Sequence, residues 1–147
     1  MSANNSEKVF FVQQKSNGEL ETESLWCEKK DEYFVIDNIP FIAKRIALGD
    51  TIKTEFDESD GTFYFDDFVE VSGNSTIRIF FDEREKIEVT RRELERLGCE
   101  SEVLLVRKIV AVNVPRDLDY RPVKSYLEHG EKNNLWTYEE SCLSHEY

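Results

Sequence analysis

Alternation of apolar and polar residues with a period of two is the strongest constraint on the fold. It is clearest in the middle of the chain, over residues 51–56, 62–71 and 75–81. The pair Asp60-Gly61 predicts a tight hairpin turn between the first two of these segments, and Ser72-Gly73-Asn74 predicts a turn before the third. The pattern therefore predicts three strands joined as an antiparallel meander.

The rest of the chain is predicted to add strands first and helices afterwards. Further strands are predicted at residues 9–13, 19–28, 33–36 and 104–114, and helices at 91–97, after Pro122 and through Leu135, Tyr138 and Cys142. Residues 41–48 form either a short helical turn or an irregular crossing, and the spacing of their apolar residues favours one or two helical turns. Thr90 and Glu93 have the spacing of a capping box for the helix over 91–97. Trp26, on a predicted strand, is expected to pack in the core.

This order of elements predicts an α+β fold. We expect a mostly antiparallel β-sheet or small barrel in the N-terminal part, followed by a strand–helix–strand–helix C-terminal part packed on it. Residues 1–147 are predicted to form a single domain, because neither part alone has enough apolar faces to close. Residues 1–7 and 144–147 are expected to be disordered.

The charge of the chain narrows the classes of partner. With 19 basic and 31 acidic residues among 147, the formal net charge is −12, so nucleic acid and anionic membranes are repelled. Three widely spaced cysteines form neither a disulfide framework nor a zinc site, which is typical of a reducing cytosol. We therefore expect a cytoplasmic protein without a metal or cofactor, whose oligomeric state the sequence leaves open.

Seven carboxylates without a basic residue lie between Glu55 and Glu70. Such a run is often only a solvated hairpin edge, but it also suits capture of a basic protein by charge complementarity. Asp67 is unusual, because the alternation places it on the inward face with Phe63 and Phe65. The predicted partner-binding residues are Glu55, Asp57, Glu58, Asp60, Tyr64, Asp66, Asp67, Phe68 and Glu70, with Phe80 as a further outward aromatic residue.

A second set of polar residues lies at strand ends and turns, where ligand sites are commonly built. The predicted polar pocket consists of Asp37, Asn38, Asp50, Ser75, Thr76 and Arg78. Capping of turns by these side chains is the simpler alternative. No catalytic residue is assigned.

Four short motifs together resemble a bacterial family known as domain of unknown function 4265. They are Glu23-Ser24-Leu25-Trp26, Asp37-Asn38-Ile39-Pro40-Phe41, Ala47-Leu48-Gly49-Asp50 and Ser72-Gly73-Asn74-Ser75-Thr76-Ile77-Arg78. The resemblance spans about residues 8 to 114 and implies a stand-alone bacterial cytosolic protein with no assigned activity. In the family pattern a histidine often stands where this chain has Asn74, which weakens the idea of a general base in that loop.

Charge and motifs together favour a non-enzymatic acidic protein-binding module, with enzymatic activity left open. The concrete hypothesis is an immunity protein that neutralises a basic bacterial toxin by direct occlusion, the toxin being encoded nearby. The alternative is a small-molecule-binding or hydrolytic domain that uses the polar turns. An acidic mimic of DNA is a third option.

Overall fold

The computed structural model describes residues 5–146 and confirms the predicted α+β class. The strands are β1 Ser6–Gln14, β2 Leu20–Lys30, β3 Tyr33–Ile36, β4 Thr51–Asp57, β5 Thr62–Glu70, β6 Ser75–Phe81, β7 Glu100–Leu104, β8 Ile109–Val114 and β9 Trp136–Cys142. The helices are α1 Glu85–Arg96 and α2 Arg121–Lys132. The chain divides between Ser72 and Gly73 into two compact units.

The first unit is a closed barrel of five strands in the order β1-β2-β3-β4-β5, as the small-barrel prediction allowed. Consecutive strands pair antiparallel, and β1 closes the barrel by pairing parallel with β5, Val9 opposite Phe63 and Phe10 opposite Tyr64. The predicted Asp60-Gly61 turn joins β4 to β5, with Gly61 at a φ of +70°. Closure leaves the barrel without an unpaired edge strand.

Inward side chains of the strands fill the barrel, together with apolar residues of the segment between β3 and β4. The core consists of Val9, Phe11, Leu25, Cys27, Phe34, Ile36, Ala43, Ile46 and Ile52. The prediction of helical turns over residues 41–48 is wrong, because the segment contains no helix and Arg45 has a left-handed φ of 65°. Ala43 and Ile46 are nevertheless buried.

The second unit is a four-stranded antiparallel sheet in the order β7-β8-β6-β9. Both helices pack on the face of the sheet that carries Ile77, Ile79, Val110 and Val112. β6 therefore does not continue the β4–β5 hairpin, and the predicted three-stranded meander is wrong in its third strand. Each unit has its own hydrophobic core, whereas the sequence argument expected neither part to close alone. That the chain behaves as one domain stays a prediction.

Three further element predictions need correction in the second unit. The apolar run over residues 104–114 is a hairpin, because a 3₁₀ turn at Leu105–Arg107 and a left-handed Lys108 separate β7 from β8. Thr90 lies inside α1 and its hydroxyl donates to the carbonyl of Lys86 at 2.7 Å, so it is not the N-cap. The predicted third helix is the edge strand β9.

The chain ends differ from the expectation of disorder where the structure describes them. Ser6 and Glu7 pair with β2, and the backbone N–H of Ser144 donates to Ser75 Oγ at 2.9 Å. Residues 1–4 and 147 lie outside the described residues.

Candidate functional site

The hairpin of β4 and β5 carries all seven predicted carboxylates, and each of them is exposed. They are Glu55, Asp57, Glu58, Asp60, Asp66, Asp67 and Glu70. The inward placement of Asp67 is wrong, because a register shift between Lys53 and Thr54 interrupts the alternation. Asp67 lies opposite Lys53, and its Oδ1 accepts the N–H of Phe68 at 2.8 Å.

Hydrogen bonds fix the carboxylates at the tip of this hairpin. Asp57 Oδ1 accepts the N–H of Ser59 at 2.9 Å, and Asp60 Oδ1 accepts the N–H of Thr62 at 3.0 Å. The Tyr64 hydroxyl donates to Asp60 Oδ2 at 2.9 Å. The Thr62 hydroxyl, the largest influence, and that of Tyr64 hold the pKa of Asp60 below its ordinary value. The tip is thus a preorganised anionic surface.

Two phenylalanines on the same hairpin are exposed yet supported by the core. Phe56 is 53% exposed, and its ring centroid lies 4.9 Å from that of Phe63. Phe68 is 37% exposed and meets Phe65 edge-on at 5.3 Å. Phe65 in turn stacks on buried Phe11 at 5.2 Å. Both rings are therefore held in place beside the carboxylates, as anchor residues of interfaces often are.

A shallow depression of about 470 Å³ lies between the tip of the hairpin and Tyr64. Its lining consists of Glu55, Phe56, Asp57, Glu58, Ser59 and Tyr64. Four of these six residues belong to the predicted partner-binding set, and Phe56 and Ser59 are their neighbours in sequence. Part of the predicted set therefore surrounds one concave surface. Phe80, the other predicted outward aromatic residue, is half-buried in the second unit.

Trp26 is exposed, contrary to the prediction that it packs in the core. Leu25 and Cys27 point into the barrel, so the alternation along β2 turns Trp26 outward, where 47% of it is exposed. Lys8 lies opposite Trp26 on β1, and its Nζ lies 5.2 Å from the centroid of the indole ring. On the same strand, Phe10 lies 5.8 Å from the ring of Tyr64.

In the first unit, two of the predicted polar-pocket residues accept hydrogen bonds from backbone N–H groups. Asn38 Oδ1 accepts the N–H of Trp26 at 2.6 Å, while Asp37 is exposed. Asp50 is only 2% exposed, and its carboxylate accepts the N–H groups of Ala47 at 2.9 Å and Ser72 at 2.8 Å. These hydrogen bonds agree with the alternative interpretation, in which the polar side chains cap turns.

The other three predicted pocket residues, Ser75, Thr76 and Arg78, are buried on β6 of the second unit. Arg78 donates through its guanidinium to the hydroxyl of Ser141. Ser75 Oγ lies 2.5 Å from His145 Nδ1, and His145 Nε2 lies 2.7 Å from the carbonyl of Pro115. Because that carbonyl can only accept, the tautomer with hydrogen on Nε2 fits, and Nδ1 accepts from Ser75. Convergence of the two groups of residues into one pocket stays a prediction.

The sequence interpretation missed one buried carboxylate. Glu23 is 8% exposed and accepts the N–H groups of Phe41, Ile42 and Ala43 at 2.7, 3.0 and 2.8 Å. Its parity with Leu25 and Cys27 on β2 was a signal that it points inward. Partners so distant in sequence were not visible from the pattern.

Burial makes two thiols poor nucleophiles. It raises the pKa of Cys27 to about 12, assisted by the charge of Asp37, and that of Cys99 to about 11. No group of three or more His, Cys, Asp and Glu residues within 5–146 is arranged to hold a metal ion. Over the same residues, each helix is too short or too polar to cross a membrane.

The barrel unit and the helix-covered sheet unit define an α+β protein. Its β4–β5 hairpin presents an anionic surface that also carries exposed aromatic rings. The family described as Domain of unknown function (DUF4265) matches residues 23–138, and the chain belongs to this family. This confirms the resemblance of the four motifs.

A solved structure shares this fold. The crystal structure of a hypothetical protein from Neisseria gonorrhoeae matches with a TM-score of 0.82 and 24% sequence identity, covering 94% of this chain and 95% of that chain. The comparison with curated proteins found no match.

Proposed function

We propose that this protein is a non-enzymatic, acidic, cytoplasmic protein-binding module that captures a basic protein through the β4–β5 hairpin. The observation that carries the proposal is the position of Phe56 and Phe68. Both are exposed, both contact half-buried rings that pack against the barrel core, and both lie among seven exposed carboxylates. An apolar anchor with a charged surround is the usual anatomy of a specific protein interface.

The concrete form of the proposal is an immunity protein that occludes a basic bacterial toxin encoded nearby. The net charge of −12 steers a cationic partner toward the complex, and the hairpin carboxylates fix its orientation. The phenylalanines then supply apolar contact that salt does not screen. Occlusion requires no chemical step, which agrees with the raised pKa values of Cys27 and Cys99.

The test is capture of the adjacent gene product by the tagged protein at low and high salt. The charge-reversal variant combines Glu58→Lys, Asp66→Lys and Glu70→Lys on exposed positions of the hairpin, and the matched control combines Glu95→Lys, Asp117→Lys and Glu131→Lys on exposed positions of the second unit. Both variants change the net charge equally. We expect the hairpin variant to lose the partner while its circular dichroism and melting temperature stay close to the control. Equal affinity of the two variants would show that the hairpin is not the interface.

A second candidate function, a hydrolytic domain, is favoured by one observation. Ser75, His145 and the Pro115 carbonyl stand in the order of nucleophile, base and orienting acceptor. Ser75 has no exposed surface, and its hydroxyl is bonded to Ser144 and His145, so access of a substrate requires a local movement of the chain. Incubation with a fluorophosphonate probe, followed by mass spectrometry, tests this candidate. Labelling of Ser75 that is lost in His145→Ala supports it, and an unlabelled Ser75 rejects it.

A further inference from the structure

Parallel pairing of β1 with β5 builds a continuous outer face on the barrel from β2, β1, β5 and β4. In one row across this face, Ser24 lies opposite Phe10, Phe10 opposite Tyr64 and Tyr64 opposite Glu55. The adjoining row contains Trp26 opposite Lys8 on the same two strands. Residues that are distant in sequence thus share one surface.

This outer face has an aromatic centre and an acidic border. Phe10 and Tyr64 are half-buried and in ring contact at 5.8 Å, while Trp26 is 47% exposed. Glu55 and Asp57 border the rings on β4, and both are exposed. A partner segment that lies across the face therefore contacts the aromatic rings at its centre and the carboxylates at its border.

The indole of Trp26 already holds a cation. Lys8 Nζ lies 5.2 Å from the ring centroid, within the range of a cation–π contact. The Lys8 side chain is exposed, so a cation from a partner can displace it. A guanidinium suits this position better than an ammonium, because it is planar, stacks on aromatic faces and binds carboxylates through paired N–H groups.

We infer that the outer face binds an arginine-rich segment of the partner, one guanidinium replacing Lys8 on Trp26 and others pairing with Glu55 and Asp57. The inference rests on the proposed function, since it identifies the chemistry of the basic partner and extends the interface beyond the hairpin. It also assigns Lys8 a role as an internal competitor for the site. Substituting Lys8 by an uncharged residue therefore strengthens the binding of an arginine-rich segment. General charge attraction predicts only the smaller increase in affinity that follows from the loss of one positive charge.

The experiment titrates the full chain with deca-arginine and with deca-lysine, using isothermal titration calorimetry for the affinities of all variants and tryptophan fluorescence for the contact with Trp26. The chain has two tryptophans, and Trp136 is only 5% exposed, so the exposed Trp26 reports the contact. Lys8→Ala is compared with Lys15→Ala, an exposed position in the turn after β1 with the same change of charge. We expect deca-arginine to bind Lys8→Ala about two- to fivefold more tightly than Lys15→Ala. We also expect Trp26→Leu to reduce the preference for arginine over lysine, because the pairing of guanidinium groups with Glu55 and Asp57 remains.

Equal affinities for the two lysine variants, or an arginine preference that is undiminished in Trp26→Leu, would overturn the inference. Deca-arginine that leaves the Trp26 emission unchanged would do the same. None of these results decides the proposed function, because capture of the adjacent gene product and its loss in the hairpin charge-reversal variant are measured independently of Trp26.

Discussion

Glu23 Oε1 accepts a hydrogen bond from the backbone N–H of Ala43 at 2.8 Å, across 20 residues of sequence. Together with its bonds to Phe41 and Ile42, this contact fastens the segment between β3 and β4 against the barrel. One carboxylate thus supplies the acceptors for three consecutive backbone N–H groups. The segment stays ordered without regular secondary structure.

Replacing this carboxylate destabilises the barrel. Glu23→Ala leaves three backbone N–H groups without their acceptor, and each unsatisfied buried donor costs about 1–3 kcal/mol. We expect the free energy of unfolding to fall by at least about 2 kcal/mol. Glu23→Gln keeps one oxygen acceptor, so its loss is expected to be smaller. Urea titration followed by circular dichroism measures both, and an alanine variant as stable as the native protein contradicts the bracing role.

Replacing Gly130 by alanine is expected to lower the stability of the protein, in contrast to most glycine-to-alanine changes within helices. Glycine to alanine within a helix normally stabilises by about 0.5–1 kcal/mol. Here a Cβ would lie 1.9 Å from Cζ2 of Trp136, whose Nε1–H donates to the carbonyl of Leu127 at 3.0 Å. We expect Gly130→Ala to destabilise by about 1–3 kcal/mol in thermal or urea unfolding. Ser125→Ala, at an exposed position on α2, is the matched control and is expected to be neutral or slightly stabilising.

Two buried thiols report separately on the two units. Cys27 belongs to the barrel core and Cys99 to the core of the sheet unit, and burial raises the pKa of both. At pH values near 8 both remain neutral thiols in the folded chain, so iodoacetamide is expected to leave them unmodified. In rising urea each becomes alkylated as its own unit unfolds, which peptide mass spectrometry resolves. Rapid native-state modification of Cys27 contradicts this prediction.

The hydroxyl of Thr62 controls the ionisation of Asp60. Because the pKa of Asp60 is lowered in the fold, its carboxylate stabilises the hairpin above the ordinary aspartate pKa and loses that effect as the pH falls through the lowered value. Thr62→Val removes the largest cause of the shift, so the pKa of Asp60 is expected to rise toward its ordinary value. Carbon-13 NMR titration of the side-chain carboxyl measures this. Ser59→Ala removes a bond to Asp57 only, and the Asp60 titration is expected to stay unchanged.

Local signals predicted the parts of the fold that are specified locally. The β4–β5 hairpin was predictable because Asp60-Gly61 sets its turn. The acidic surface was predictable because its carboxylates lie close together in sequence, without a basic residue among them. The split of the apolar run over residues 104–114 was not, since the left-handed position at its centre is held by Lys108 and not by glycine.

Long-range pairing decided what the sequence did not predict. The contact of Phe10 with Tyr64 depends on the parallel closure of the barrel, and no local pattern selects β5 as the neighbour of β1. Asp67 turned outward because of a register shift that alternation cannot reveal. For Trp26, the large aromatic side chain favoured a position in the core, whereas the alternation along β2 favoured the surface. The observed position follows the alternation.

Closure of the barrel by its first and last strands also sets an order of events during synthesis. β1 finds its parallel partner only after the ribosome has completed β5, which ends at Glu70. Until then the nascent chain presents the unpaired backbone of β1, the kind of edge from which strands of other chains can grow. We expect chains that stop before Thr62 to associate through this edge. Completion of β5 ends that exposure by covering the edge of β1.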